Sequence, residues 1–152
     1  MIKVKELLEC IESGISRALS VIPTSFEDKG FREPRWKSFS WQRAKRIIAR
    51  SIAYCICKNN CTVYLLEMHG GEPSEDMGGK DVDIAIDCVS DREALEIEKE
   101  LEKLLLEKLR EKLGVDPYKY LGIPNIVEVH SANEYIIKKH VEAGPPYSLK
   151  LC

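Results

Sequence analysis

With 152 residues, 44% hydrophobic and 32% charged, and a formal net charge of -2, the chain has the make-up of one globular domain with its own core. These figures exclude a disordered polyelectrolyte, and no apolar run approaches the ~20 residues that a bilayer span needs. The first residues, Met1-Ile-Lys-Val-Lys-Glu6, alternate charged and apolar side chains and lack a secretory apolar stretch, so the expected location is cytoplasmic and off the membrane.

Apolar residues at Val4, Leu7, Leu8, Ile11, Ile15, Ala18, Leu19 and Ile22 recur at helical spacing, and Pro23 closes that run. Thr24 to Ser40 is polar and punctuated by Gly and Pro, which predicts a loop or irregular arm. A second helix follows, with Ala44, Ile47, Ile48, Ser51, Ile52 and Cys55 on one stripe and Asn59-Asn60 at its end. Thr62 to Met68 reads as a strand from its β-branched and aromatic content, and His69-Gly70-Gly71 turns the chain. Lys80 to Ile86 reads as a second strand. Ser90-x-x-Glu93 is a capping box that opens a long helix, its core stripe Leu101, Leu104, Leu105 and Leu109, closed by Gly114. Asn125 to His130 is a third strand. Ser131-x-x-Glu134 has the pattern of another capping box, opening a last helix that Gly144-Pro145-Pro146 ends. The order predicts an α+β fold: a small mixed sheet of three or four strands flanked by helices, in a single domain over 1–152. Residues 1–40 form the N-terminal helix and arm, and 41–152 the core.

Charge is unevenly spread. The segment from Lys29 to Arg50 is rich in Lys and Arg, while Glu67 to Asp87 is mostly acidic, a weak hint of a polyanionic partner. The six cysteines (10, 55, 57, 61, 88, 152) form no recognisable zinc framework, since Cys55-x-Cys57-x-x-x-Cys61 lacks paired CxxC knuckles. The simpler reading is buried thiols in a reducing cytosol; disulfides are the alternative, as in a hyperthermophile.

The chemistry concentrates at Asp81-Val82-Asp83. Alternation along the strand puts Val82, Ile84 and Ile86 on one face and Asp81, Asp83 and Ala85 on the other. Two like charges held flush against a hydrophobic sheet repel, and desolvation adds to the cost. A divalent cation is the usual remedy, and oxygen ligands suit Mg²⁺. On the third strand Ile126, Glu128 and His130 share a face, so Glu128 is the candidate third acid. The plainer alternative is a solvated strand face for all three.

A strand ending in Gly70-Gly71, a nine-residue spacer, Asp81-x-Asp83 in the next strand and Glu128 on a third resemble the polymerase-β-type nucleotidyltransferase superfamily, in particular its minimal members. The resemblance covers roughly Trp41 to Val141. It implies a nucleotidyltransferase fold and a Mg²⁺-dependent enzyme that moves an NMP from an NTP, such as ATP, to a hydroxyl. It also implies roles: Asp81, Asp83 and Glu128 as metal ligands and catalytic acids, with Gly70, Gly71 and Lys80 at the nucleotide phosphates. Two cations about 3.5–4 Å apart would stabilise both ends of an in-line displacement. The spacer, Glu72 to Lys80, is acidic except for Lys80 where relatives often carry arginines, and Glu128 stands where Asp is common. Together with the added N-terminal helix, this also fits a weakly active or inactive module of that fold, an antitoxin-like partner of a small helical protein.

Neighbouring residues carry plainer expectations. His69 and His130 flank strand ends and read as ordinary polar residues rather than bases. Asp87 reads as exposed. In the arm, Phe26, Phe31, Trp36, Phe39 and Trp41 alternate with Lys29, Arg32, Arg35 and Lys37, a possible nucleic-acid surface. The preferred reading is that the aromatics pin the segment to the core while the cations reach outward.

Overall fold

A computed structural model of the chain describes residues 2–26, 34–66 and 79–152. The elements run α1 (Val4–Ser20), a 3₁₀ turn (Arg35–Lys37), α2 (Phe39–Cys57), β1 (Val63–Leu66), β2 (Val82–Ile86), α3 (Asp91–Leu113), α4 (Pro117–Leu121), β3 (Val127–Ser131), α5 (Tyr135–Ala143) and β4 (Ser148–Lys150). The fold is α+β, with a four-stranded mixed sheet in the order β3-β2-β1-β4. β1 runs antiparallel to both β2 and β4. β2 and β3 are parallel, joined by a crossover through α3 and α4.

The apolar period of α1 turns Leu7, Ile11, Ile15, Ala18 and Leu19 inward. In α2 the largest fully buried side chains are Trp41, Ile48, Ile52 and Ile56. The α2 stripe and the Ile97, Leu101, Leu105 and Leu109 row of α3 cover one face of the sheet, where Val82, Ile84, Ile86, Val127 and Val129 point, and the α1 stripe packs behind them on the two helices. On the opposite face a smaller cluster of Leu66, Ala85, Ala132 and Ile137 packs beneath α5. That cap covers only part of the face.

β3 lies at an edge, and α3 covers the edge chemically. Glu98 and Glu102 are four residues apart and so share one side of the helix. Glu98 accepts from Val129 N–H at 2.9 Å, and Glu102 accepts from Val127 N–H at 3.0 Å and Ile126 N–H at 2.9 Å. Carboxylates on outward amide groups close an edge that could otherwise pair with another chain.

Several boundaries follow local chemistry that periodicity alone does not show. The capping box at Ser90 and Glu93 forms as expected, and Gly114 ends α3 at φ 72°. Ser131-x-x-Glu134 does not act as a box. Ser131 is the last residue of β3, its hydroxyl donating to Val89 O at 2.7 Å, and the ladder continues through Ala132 N–H to Ile86 O. A residue committed to the sheet cannot cap a helix, so α5 starts three residues later with Glu134 as its own N-cap. The stretch read as loop contains the 3₁₀ turn and the first residues of α2, because the Ser38 hydroxyl accepts from Trp41 N–H and sets the helix start at Phe39. α4 and β4 were not foreseen. α4 is a single turn between Asp116, its N-cap, and Gly122, where φ is 77° and a Cβ would stand 2.9 Å from Pro34 Cβ.

The cysteines overturn the buried-thiol reading. All six pair, as Cys10–Cys55, Cys57–Cys152 and Cys61–Cys88, with Cα separations of 5.9, 6.3 and 5.3 Å. Spacing along the chain could not show this, since the partners are brought together by α1 against α2 and by the strand ends. Among the described residues, no helix is long and apolar enough to cross a membrane.

Candidate metal and nucleotide site

The parallel register decides where the acids meet. Asp83 sits directly across from Glu128, and Ala85 from His130. Because both strands alternate in step, Asp83, Glu128 and His130 project from the same face, beside the part that α5 covers. Asp83 is 8% exposed, a buried carboxylate on the central strand. Asp81 precedes β2 by one residue and is fixed by Asn125, whose Nδ2 donates to its Oδ2 at 2.6 Å. The predicted acids Asp81, Asp83 and Glu128 thus come together, lining one cavity of about 410 Å³ with Trp36, Gly79, Lys80, Pro124 and Asn125.

His130, read from the sequence as an ordinary polar residue, stands beside two of them. Its Nε2 lies 3.0 Å from Asp83 Oδ1 and 3.5 Å from Glu128 Oε2. Donor atoms of Asp83, Glu128 and His130 all fall within 4.8 Å of one another. The signal was present in sequence as shared parity, two residues beyond Glu128.

The electrostatics are those of an overcharged, partly dry pocket. Burial, then the charges of Asp83 and Glu128, push the Asp81 carboxyl up to about 7, against the pull of the Asn125 hydrogen bond. Glu128 is raised by burial and by Asp83, with Glu98 adding to the effect, while His130 and a hydrogen bond with Asp81 oppose it. His130 is raised chiefly by its hydrogen bond to Asp83, which burial opposes. The raised carboxyls mark negative charges that are unfavourable together, while the raised His130 marks a positive charge that the carboxylates favour.

The run into Asp81 is held from α2. Trp41 Nε1 donates to Lys80 O at 2.7 Å, Lys45 Nζ to Gly79 O at 2.7 Å, and Gln42 Nε2 to Gly79 O at 3.2 Å. Three side chains from consecutive turns of one buried helix thereby fix the backbone just before the first acid. Sequence reading missed this clamp, because backbone carbonyls as targets leave no pattern. Lys80 lines the same cavity, its ammonium 5.9 Å from the centre of the Trp36 ring.

Other candidates sort themselves by position. His69, Gly70, Gly71 and the acidic spacer up to Gly78 lie outside the described residues. Asp87 is exposed as expected, and its carboxylate accepts from Thr62 N–H at 2.7 Å, a structural task. Cys61 and Cys88 beside it are joined as a disulfide and offer no free thiolate. In the arm, Phe26 is buried and meets Trp41 edge-on at 5.7 Å, while Arg35 stacks on Tyr120 at 4.5 Å. Phe26 thus pins its part of the segment, whereas Arg35 turns inward rather than reaching outward and Phe39 is 63% exposed. Phe31, Lys29 and Arg32 lie outside the described residues. A separate cavity of about 790 Å³ between α1 and α2 is lined in part by Arg17, Arg50 and Lys58 and does not include the carboxylates.

The donor set fits a divalent cation on its own chemistry: carboxylates converging on a partly open cavity, those of Asp81 and Glu128 held above their usual pKa, gain from a dication that neutralises them. Compared with known protein families, characterised proteins and solved structures, the chain matches none.

Proposed function

We propose that the protein is a Mg²⁺-dependent nucleotidyltransferase that moves an NMP from an NTP to a hydroxyl acceptor and releases pyrophosphate. The observation that carries this reading is the pairing of Asp83 with Glu128 across parallel strands, with Asp81 at the same cavity. The sheet supports it too, because both halves of the acid set stand on adjacent strands as the resemblance implies.

A cation held by Asp81, Asp83 and Glu128 supplies charge neutralisation for a triphosphate. The chain's own residues supply the rest. Lys80 places a positive charge at the same cavity, suited to a phosphate oxygen. Trp36 offers the cavity its one described aromatic surface. Glu128, beside Asp83 at the cavity, is placed to receive the acceptor's hydroxyl proton. In that transfer the acceptor oxygen bonds to the α-phosphorus, the bond from the α-phosphorus to the bridging oxygen breaks, and pyrophosphate leaves. Gly70 and Gly71 would serve the β- and γ-phosphates by the resemblance alone. The cytoplasm is the expected compartment only in a cell whose cytoplasm tolerates disulfides.

The test is incubation with NTPs labelled at the α-phosphate, Mg²⁺ and protein, small-molecule and RNA acceptors. Label transfer by the wild type, abolished in Asp81→Asn/Asp83→Asn, is the expected result; equal transfer by the double variant dismisses the assignment.

A further inference from the structure

The proposed Mg²⁺ site needs oxygen donors, yet the structure adds a nitrogen. We infer that Asp83, Glu128 and His130 form a mixed carboxylate–imidazole site for a first-row transition dication of the Mn²⁺ or Zn²⁺ type, bound in preference to Mg²⁺. This rests on the cation-binding half of the reading above and not on the transferase half.

Geometry is the first argument. Donors on one ion with bonds of about 2.1 Å stand about 3.0 Å apart at right angles and about 3.4 Å apart at the tetrahedral angle. His130 Nε2 is 3.0 Å from Asp83 Oδ1 and 3.5 Å from Glu128 Oε2. Both contacts of the imidazole nitrogen thus keep ligand-to-ligand spacing, and the two carboxylates offer oxygens within 4.8 Å of each other, near enough to close on one ion.

Hydrogen bonding is the second. One imidazole nitrogen faces two carboxylates, and a single N–H cannot serve both well. The short contact goes to Asp83, which is buried, while the Glu128 and His130 side chains are 42% and 29% exposed and open to a further ligand. A shared cation satisfies all three at once.

Donor chemistry is the third. Mg²⁺ keeps to oxygen and sheds water reluctantly, whereas imidazole suits zinc and its neighbours. His130 comes from the same strand as Glu128, two residues on, so the sheet itself fixes the spacing of these two donors. The fourth and later positions remain for Asp81, water or substrate oxygen.

The experiment uses the whole chain with its disulfides intact, without nucleotide. Mn²⁺ is titrated at neutral pH and followed by electron paramagnetic resonance, then displaced with Mg²⁺; Zn²⁺ is measured by competition with a chelator. The wild type should bind one Mn²⁺ with imidazole ¹⁴N coupling in the echo-modulation spectrum, and about tenfold or more excess of Mg²⁺ should be needed to displace it. His130→Ala and His130→Gln should lose the nitrogen coupling and weaken Zn²⁺ most, Mn²⁺ less and Mg²⁺ least, with circular dichroism unchanged. Should either variant fail to fold, the wild-type coupling spectrum alone decides. Equal affinity for Mn²⁺ and Mg²⁺, absence of ¹⁴N coupling, or coupling that survives both variants overturns the inference. Mn²⁺ bound without nitrogen leaves the transferase proposal standing, while nitrogen-ligated Mn²⁺ in a protein that transfers no nucleotide leaves this inference standing alone.

Discussion

The two faces of the β2–β3 pair are made from the same ten residues and do opposite things. One face carries Val82, Ile84, Ile86, Val127 and Val129, all buried beneath α2 and α3. The other carries Asp83, Glu128 and His130 within a few ångströms of one another, beside the short α5 cap. The first face lowers the free energy of folding; the second works against it by bringing carboxylates together out of water, a cost that His130 offsets only in part. A sheet that tolerates such a face unaided is giving up stability, which is why that face is the place to look for a ligand.

The sharpest way to break this contrast is to cut each face in turn. Ile84→Ala, at a position with no exposure, should lower unfolding free energy by about 3–4 kcal/mol in urea titrations. Asp81→Asn, at the opposing site, should cost nothing or stabilise the apo protein by ~1 kcal/mol at pH 8. A loss of several kcal/mol there would mean that the acids are structural.

The edge between the faces is the next lever. Glu102→Ala removes the acceptor of Ile126 and Val127 N–H and of the Tyr118 hydroxyl, and should cost about 2 kcal/mol by the same titrations. Glu102→Gln should recover part of that loss.

Acidity gives a third lever of comparable size. Asp81 is raised from 3.8 to about 7 on folding, so the native state holds its proton more tightly than the unfolded chain. That contribution is fully present below about pH 4 and is lost as pH rises through about 7. His130, also raised, acts in the same direction, with stability present below 6.5 and lost above its folded pKa. Together they should lower apo stability between pH 5 and 8 by on the order of 2 kcal/mol, allowing for solvent screening. Asp81→Asn should flatten the profile measured by thermal unfolding. The smallest loss of stability expected away from the site is that of Ser90→Ala, about 1 kcal/mol from loss of the α3 cap.

The apolar face was largely legible in the chain. Helical periods in α1, α2 and α3 and alternation in β2 are local patterns, and burial follows them. Shared parity also foretold that Asp83 and Glu128 would project alike. Other features depend on register between distant segments. The same Ser-x-x-Glu pattern caps α3 at Ser90 and fails at Ser131, because the ladder to Ile86 reaches Ala132 first. The disulfides require α1 to lie on α2, and His130 becomes a site residue only once β3 pairs parallel to β2. The clamp of Trp41, Gln42 and Lys45 on Gly79 and Lys80 targets backbone carbonyls and so has no partner residue to recognise.

The central claim is that the charged face is a divalent-cation site, and thermal unfolding at pH 8 tests it most directly. Millimolar Mg²⁺ or Mn²⁺ should raise the Tm of the wild type by several degrees, as ligation of the native state alone requires, and leave Asp81→Asn/Asp83→Asn unmoved. A wild type indifferent to either ion, or a double variant that responds equally, would contradict the account.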